Sequence, residues 1–365
     1  MRIEHTQLNA RGSAVTLCEN RAPTMSEWIE ARRLGCEIIA AVEDRAAIIA
    51  QRNLDPAFCL PAANWAPDAP NDYLDAYRLL RTLDWNEVRH LRLRCQIFSG
   101  FSLLHMRTSR GLQSTFAVPK DLHIDPEPPT ETLDYWRLLT QGLPTRRVFH
   151  PPCALGEIGW RIDDGVIMNY ETCVYQERLT LLHRSGILDW LEQLGRPPRI
   201  LEIGAGHGAL ACALMSTFPG CQYTICDLPE SLLFSGLYLT LAARQRCALL
   251  SRVAVPIQGV IELVPNYLFE DLCAAHRSYD LAINVLSMSE MSEVQVKCYG
   301  RGIAAMLGSA GVFFEQNHDN RPVGLGFAAN VLTDVFPTFR EIVADDIPLT
   351  QGRPHLWSNA KSQIS

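Results

Sequence analysis

Residues 201–208 read Leu-Glu-Ile-Gly-Ala-Gly-His-Gly and stand between a short apolar run, Arg199–Ile203, and a compact helical pattern, Ala209–Phe218. A strand that ends in glycines and passes at once into a helix dictates a tight bend. Glycines are needed there because a side chain would keep a ligand away from the turning backbone. The spacing separates two ligand classes. A dinucleotide loop reads G-x-G-x-x-G and offers a helix N-terminus to a pyrophosphate. Here the pattern is E-x-G-x-G-x-G, with Glu202 inside the strand. A carboxylate in that position suits a cationic or hydroxyl-bearing ligand better than a polyphosphate. Asp227 follows at the end of the next strand-like run, Gln222–Cys226. In a doubly wound sheet that place faces a ribose, and a carboxylate there accepts hydrogen bonds from both hydroxyls. The plainer alternative is a generic turn with a helix-capping Asp.

From about residue 170 onward, strand-like and helix-like segments alternate. Tyr175–Trp190 and Ser231–Ala243 have helical patterns, and Asp280–Val285 and Gly311–Glu315 read as strands. Arg252–Gln258 is a weaker strand candidate because Pro256 interrupts it. Strands separated by helix-length segments predict βαβ units and an α/β fold with a Rossmann-like, doubly wound, mainly parallel sheet. Phe339–Ala344 and His355–Ser358 are expected to add an antiparallel edge pair. The N-terminal part reads mostly as helix. Thr24-Met-Ser-Glu27 has the capping-box pattern, and Trp28, Ala31, Leu34, Ile38, Val42 and Ile49 follow at helical spacing. A second amphipathic helix is expected over Tyr73–Trp85, with further helix through Val88–Met106. The chain divides by pattern into a mostly helical domain, 1–160, that shapes an acceptor pocket or a dimer contact, and a Rossmann-like domain, 161–365.

The run Glu202-Ile-Gly204-Ala205-Gly206-His-Gly208 with Asp227 resembles the class I S-adenosylmethionine (SAM)-dependent methyltransferases, over roughly residues 165–365. Within that stretch Cys226-Asp-Leu-Pro-Glu230, Ile283-Asn-Val-Leu-Ser-Met-Ser-Glu-Met291 and Phe313-Phe-Glu-Gln-Asn317 look like the branch labelled sugar O-methyltransferases, a label that leaves the acceptor open. The resemblance implies SAM as co-substrate. Gly204, Ala205, Gly206 and Gly208 would lie along its methionine part with Glu202 beside them, Asp227 would hold the ribose, and Leu228 would pack near the adenine.

Other candidates flank this core. Asn284 and Ser287 follow the strand at Asp280–Val285, where open α/β sheets place ligands, and are read as lining the sulfonium, with Glu290 reaching the acceptor. Glu290 and Glu293 together suit a cationic acceptor. Equally, Ser287-Met-Ser-Glu290 fits a capping box, in which Glu290 only satisfies helix N–H groups. In the segment Asn169–Gln176, Asn169, Tyr170 and Tyr175 are cofactor candidates. An aromatic face beside a sulfonium gains on the order of 1–2 kcal/mol when desolvated, whereas the alternative is an amphipathic helix packing its tyrosines. His318, beside Asp319, is the first candidate for a base, with His207 and His105 behind it. The candidate catalytic set is Glu290, His318 and Tyr175. A base matters less here than in many transfers, because a sulfonium leaves as a neutral thioether and positioning can carry much of the rate.

Composition excludes several other classes. A net charge of −7 without a basic run argues against nucleic acid as partner. No apolar stretch reaches the length of a membrane span, and Met1–Asn20 lacks a secretory apolar region. Twelve cysteines without a C-x-x-C pair predict free thiols in a reducing cytoplasm and no metal site. The expected protein is a cytoplasmic enzyme, possible as a homodimer, that methylates a hydroxyl or nitrogen of a small polar metabolite in specialised metabolism. Two alternatives stand beside it. A SAM-consuming cyclase would form azetidine-2-carboxylate and methylthioadenosine on the same fold, and a catalytically silent SAM-binding scaffold would use the helical half as its interface.

Overall fold

The computed structural model describes residues 15–17, 22–61, 65, 72–98, 106–107, 123–124, 128–162, 165–252, 256–323, 326–350 and 352–359. Its N-terminal part comprises β1 (Val15–Leu17), α1 (Met25–Arg52), α2 (Pro56–Cys59), α3 (Asp72–Leu80), α4 (Trp85–Val88), α5 (Leu91–Phe98), β2 (Met106–Arg107), β3 (His123–Ile124), α6 (Thr130–Thr140), β4 (Ile158–Arg161) and β5 (Ile167–Met168). Then come α7 (Tyr170–Arg184), α8 (Ile187–Glu192), β6 (Arg199–Ile203), α9 (Ala209–Thr217), β7 (Gln222–Asp227), α10 (Pro229–Leu241), β8 (Cys247–Leu249) and β9 (Ile261–Pro265). The chain continues with α11 (Phe269–Ala274), β10 (Leu281–Val285), α12 (Glu293–Leu307), β11 (Val312–Gln316), α13 (Ala328–Leu332), β12 (Thr338–Glu341) and β13 (Pro354–Ser358).

Eight strands form one sheet in the order β12-β13-β11-β10-β6-β7-β9-β8. β11, β10, β6, β7, β9 and β8 run parallel, and β13 pairs antiparallel with both β11 and β12. This is a Rossmann-like doubly wound sheet, with the chain reversing direction across the sheet between β6 and β10. Alternate residues of the strands supply two apolar layers, as a parallel sheet covered on both faces requires. Ile200, Ile225, Leu263, Ile283 and Phe314 pack with Leu34, Ile38, Leu214 and Leu237. Leu201, Ile203, Val264, Ala282 and Phe313 pack with Leu272, Val296, Ile303 and Leu332.

The N-terminal helices share this core. Thr24 and Glu27 form the expected reciprocal cap of α1, whose Leu34 and Ile38 press on α10 at Gly236. A Cβ there would stand 3.1 Å from Ile38 Cδ1 and from Leu263 Cδ1. Arg45 of α1 makes a buried two-pronged ion pair with Glu230 of α10, at 2.9 and 2.8 Å. β1, β4 and β5 form a separate antiparallel sheet, and the β4–β5 hairpin runs straight through position 160.

Several local expectations need correction. The strand beside β7 is Ile261–Pro265, with Cys247–Leu249 outside it, and not Arg252–Gln258. Of that stretch residues 253–255 lie outside the described residues, and Arg252 and Pro256–Gln258 are not in a strand. The pattern at Tyr175–Trp190 is two helices, begun at Tyr170 and broken at Gly186, whose φ is +80°. Of the helix expected through Val88–Met106, α5 covers Leu91–Phe98, residues 99–105 lie outside the described residues, and Met106 lies in a short strand. Ser287–Glu290 is a 3-10 turn, and the capping box that starts α12 uses Ser292 and Gln295. Cys153 is disulfide-bonded, against the expectation of free thiols throughout, while Cys226, Cys212 and eight others are free. Among the described residues no helix is long and apolar enough to cross a membrane, and no three His, Cys, Asp or Glu side chains gather as a metal site.

Candidate functional site

The bend after β6 lies at the switch point of the sheet, and its three glycines answer three different demands. Gly204 has φ +74°, and a Cβ on it would fall 2.1 Å from Ser287 Oγ. Gly206 has φ +57°, and a Cβ there would meet nothing within 4 Å, so open space lies directly above the bend. Gly208 caps α9 with φ +89°, and a Cβ there would stand 3.1 Å from Leu239 of α10. Ala205 between them is buried.

Asp227 ends β7 beside this opening. Its Oδ1 accepts from the Leu228 N–H at 2.8 Å and its Oδ2 from the Gly206 N–H at 3.3 Å. Burial pushes its carboxyl up to about 7 against those bonds, although the side chain keeps part of its solvent access. The Ser231 hydroxyl and the Ala205 N–H also bond to it, and with about four acceptor positions on a carboxylate a diol would share or replace these donors. Glu202 is buried, accepts from the Tyr223 hydroxyl at 2.8 Å and is likewise raised by burial to about 7.

After β10 the chain turns through Leu286, a non-glycine residue with φ +65°. Asn284 is fully buried and saturated. It donates to Ile203 O at 2.8 Å and Ser287 Oγ at 2.5 Å, and accepts from Met288 N–H at 3.2 Å and Asn317 Nδ2 at 2.8 Å. It ties the end of β6 to the turn after β10 and has no polar atom left for a ligand. Ser287 Oγ also donates to Ile203 O at 3.2 Å. Glu290 accepts from the Trp65 indole N–H, and burial raises its carboxyl. Its partner is therefore a side chain from the N-terminal part, where the capping alternative had placed helix N–H groups.

α7 supplies the third wall. Asn169 is its N-cap, accepting from Thr172 N–H at 2.8 Å and donating to Glu157 Oε1 at 2.7 Å and Ile158 O at 2.9 Å. That places it in the frame of the helix. The Tyr175 hydroxyl lies 3.5 Å from His207 Nδ1, and the His207 ring sits edge-on between Tyr175 and Tyr238 at 5.5 and 5.1 Å. Burial holds His207 well below the usual imidazole value, so it is neutral. Tyr170 is half-buried, and desolvation raises its phenol. Leu228 is half-buried at the start of α10. His318 is exposed in the loop after β11, next to the Asp319–Arg321 ion pair. His105 lies outside the described residues.

Two contributors were invisible in the local pattern. Tyr73 of α3 is buried, its hydroxyl within electrostatic reach of Asp227 and Ser231, and its ring stacks on Phe234 at 4.2 Å. Trp65 packs edge-on against Tyr73 at 4.7 Å and reaches Glu290. No signal short of long-range contact could have placed either beside residues more than 150 positions away in the chain.

The cradle fits a sulfonium nucleoside. The free volume over Gly206 accepts a ligand flush with the backbone, and the partly solvated Asp227 can take hydroxyl donors.

No protein-family model matches the chain, and no curated protein matches it in sequence. Solved structures do match. The bifunctional kinase-methyltransferase WbdD is 17% identical with a TM-score of 0.35, over 50% of this chain and 39% of that one. Human N-acetylserotonin methyltransferase, solved in complex with SAM, is 17% identical with a TM-score of 0.33, over 52% of this chain and 57% of that one. A protein from Pyrococcus horikoshii OT3 is 12% identical with a TM-score of 0.34, over 50% of this chain and 89% of that one. This chain therefore spans less than two thirds of the length of the first two. The strand order of its own sheet, the glycine bend at the switch point and the acid that ends the neighbouring strand give this chain a Rossmann-like doubly wound fold with its cradle at the switch point.

Proposed function

We propose that the chain is a SAM-dependent methyltransferase acting on a hydroxyl or nitrogen of a small polar metabolite. The observation that carries this reading is the pairing of open space above Gly206 with the Asp227 carboxylate, whose oxygens already anchor the bend itself. SAM, when bound, supplies an electrophilic methyl on a cationic sulfur. The chain's own residues hold and orient it. Asp227 takes the ribose diol, the backbone of residues 204–206 follows the methionine part, and the turn carrying Ser287 faces them. Glu290 and Trp65 bring an acid and an aromatic face to the acceptor side. Burial keeps Glu290 ready to hold a proton, which suits uptake from a hydroxyl during attack.

Calorimetry of the full chain with S-adenosylhomocysteine tests the binding half, and the reading falls if no heat is released. Product analysis tests the chemistry. S-adenosylhomocysteine that appears only with an added alcohol or amine supports methyl transfer. Methylthioadenosine formed from SAM alone would replace it with the cyclase reading, and tight binding without any product would leave the scaffold.

A further inference from the structure

The parallel strands of the large sheet have two ends, and the glycine bend and Asp227 occupy only the carboxyl end. A cavity of about 330 Å³ opens at the amino end, roughly 16 Å away along β6 at the usual rise of a parallel strand. Its wall includes Arg199 at the start of β6, Ile257 and Val260 ahead of β9, Glu262 within β9, and Arg277 and Tyr279 ahead of β10. That size falls at the lower end of small-molecule pockets, about 300–1,000 Å³.

Charge is not balanced around this cavity. Among the described residues that line it, Glu262 is the only acid, and it is matched. Its two oxygens accept from Nη1 and Nη2 of Arg277, the second at 3.3 Å, and Thr224 Oγ1 donates to it at 3.3 Å. The next acid, Asp280, just behind the wall, is already held by Arg196, which donates to both of its oxygens at 2.7 and 2.8 Å. The backbone N–H of Arg199 adds a third bond to Asp280 at 2.8 Å. The Arg199 side chain is left outside this arrangement. Its Nη2 stands 3.8 Å from Asp280 Oδ1, beyond hydrogen-bond length, and its Nε is buried with no hydrogen-bond partner. Three arginines therefore meet two carboxylates, and the surplus positive charge is that of Arg199, on the cavity wall.

A guanidinium keeps its charge in any protein setting, and an unmade bond from a buried donor is unfavourable. An anionic oxygen entering the cavity would answer both. The rest of the wall suits an apolar body, since Tyr279 is buried and Ile257, at 51% exposure, leaves an aliphatic side chain half open to water. We propose that this cavity is a second ligand site and takes a small organic anion, its carboxylate or phosphate on Arg199 and its apolar part against Ile257, Val260 and Tyr279. The site is independent of the SAM reading of the glycine bend.

Benzoate and phenyl phosphate are the probes, titrated calorimetrically into the full chain, with benzyl alcohol as the uncharged control. One or both anions should bind at millimolar concentration or below, benzyl alcohol should not, and added S-adenosylhomocysteine should leave anion affinity within about twofold. Binding of benzoate alone assigns the site to carboxylates, of phenyl phosphate alone to phosphates, and of both to either group. Arg199→Met should weaken the anion at least about tenfold, as expected for hydrogen bonds to a charged group. Should that variant not fold, Ile257→Glu, an exposed change that sets a negative charge at the cavity mouth, should produce the same loss. The proposal is overturned if neither anion binds, if benzyl alcohol binds as well as they do, if the substitution leaves their affinity unchanged, or if S-adenosylhomocysteine displaces them.

Discussion

Ser287 Oγ stands 2.1 Å from the point a Cβ on Gly204 would occupy. The bend that follows β6 and the turn that follows β10 are thus fitted to one another across the switch point, and Asn284 and Ser287 both donate to the carbonyl of Ile203, just before the bend.

This fit separates two glycine substitutions that look alike in the sequence. Gly204→Ala drives a methyl into Ser287 and adds the left-handed backbone penalty, about 1–2 kcal/mol, so it lowers both the melting temperature and nucleoside affinity. Gly206→Ala carries only the backbone term, since its Cβ points into open space, but it fills the volume assigned to ligand. Thermal melts paired with S-adenosylhomocysteine titration should show a smaller stability loss for Gly206→Ala and an affinity loss of at least about tenfold. Unchanged affinity in that variant would remove the ligand from above Gly206.

Glu202 and Asp227 hold protons up to about 7, against unfolded values of 4.5 and 3.8. Over that window the folded state binds more protons than the unfolded state, so the free protein loses stability as pH rises from about 4 to about 7. Urea melts at pH 5 and pH 7.5 should reveal the slope. Glu202→Gln should remove its share, at most about 3 kcal/mol for a shift of this size.

Ribose binding runs with the opposite sign. A diol donates to the ionised Asp227, so S-adenosylhomocysteine affinity should increase as pH passes upward through 7. Asp227→Asn should bind about tenfold to a hundredfold more weakly and lose that pH dependence. A titration series from pH 6 to 8 on both proteins checks it, and parallel curves would count against the role assigned to Asp227.

The Arg45–Glu230 pair joins α1 to α10 in a buried setting. Glu230→Ala leaves an uncompensated guanidinium and should cost about 3–5 kcal/mol, whereas Arg45→Met with Glu230→Leu should recover most of the loss. Denaturant midpoints of the two variants decide between these outcomes. A cost below about 1 kcal/mol for the single change would mean that the pair is solvated in solution.

The local pattern alone determined the parallel strands β6, β7, β10 and β11, the antiparallel edge pair, the cap of α1 and the glycine bend with Asp227. Each depends on contacts or periodicities within a few residues, and backbone sterics act at that range. The strand beside β7 was misplaced because Ile261–Pro265 is short and fully buried, and carries no alternation to distinguish it from the loop before it. The function of polar residues lay beyond that range. Nothing in Asn284 itself says that its amide is saturated by Ile203, Ser287, Met288 and Asn317, or in Glu290 that its partner is Trp65 rather than a helix terminus. Whether an acid caps, pairs or faces a ligand depends on which distant groups packing brings within hydrogen-bonding reach. Only the tertiary structure sets those distances.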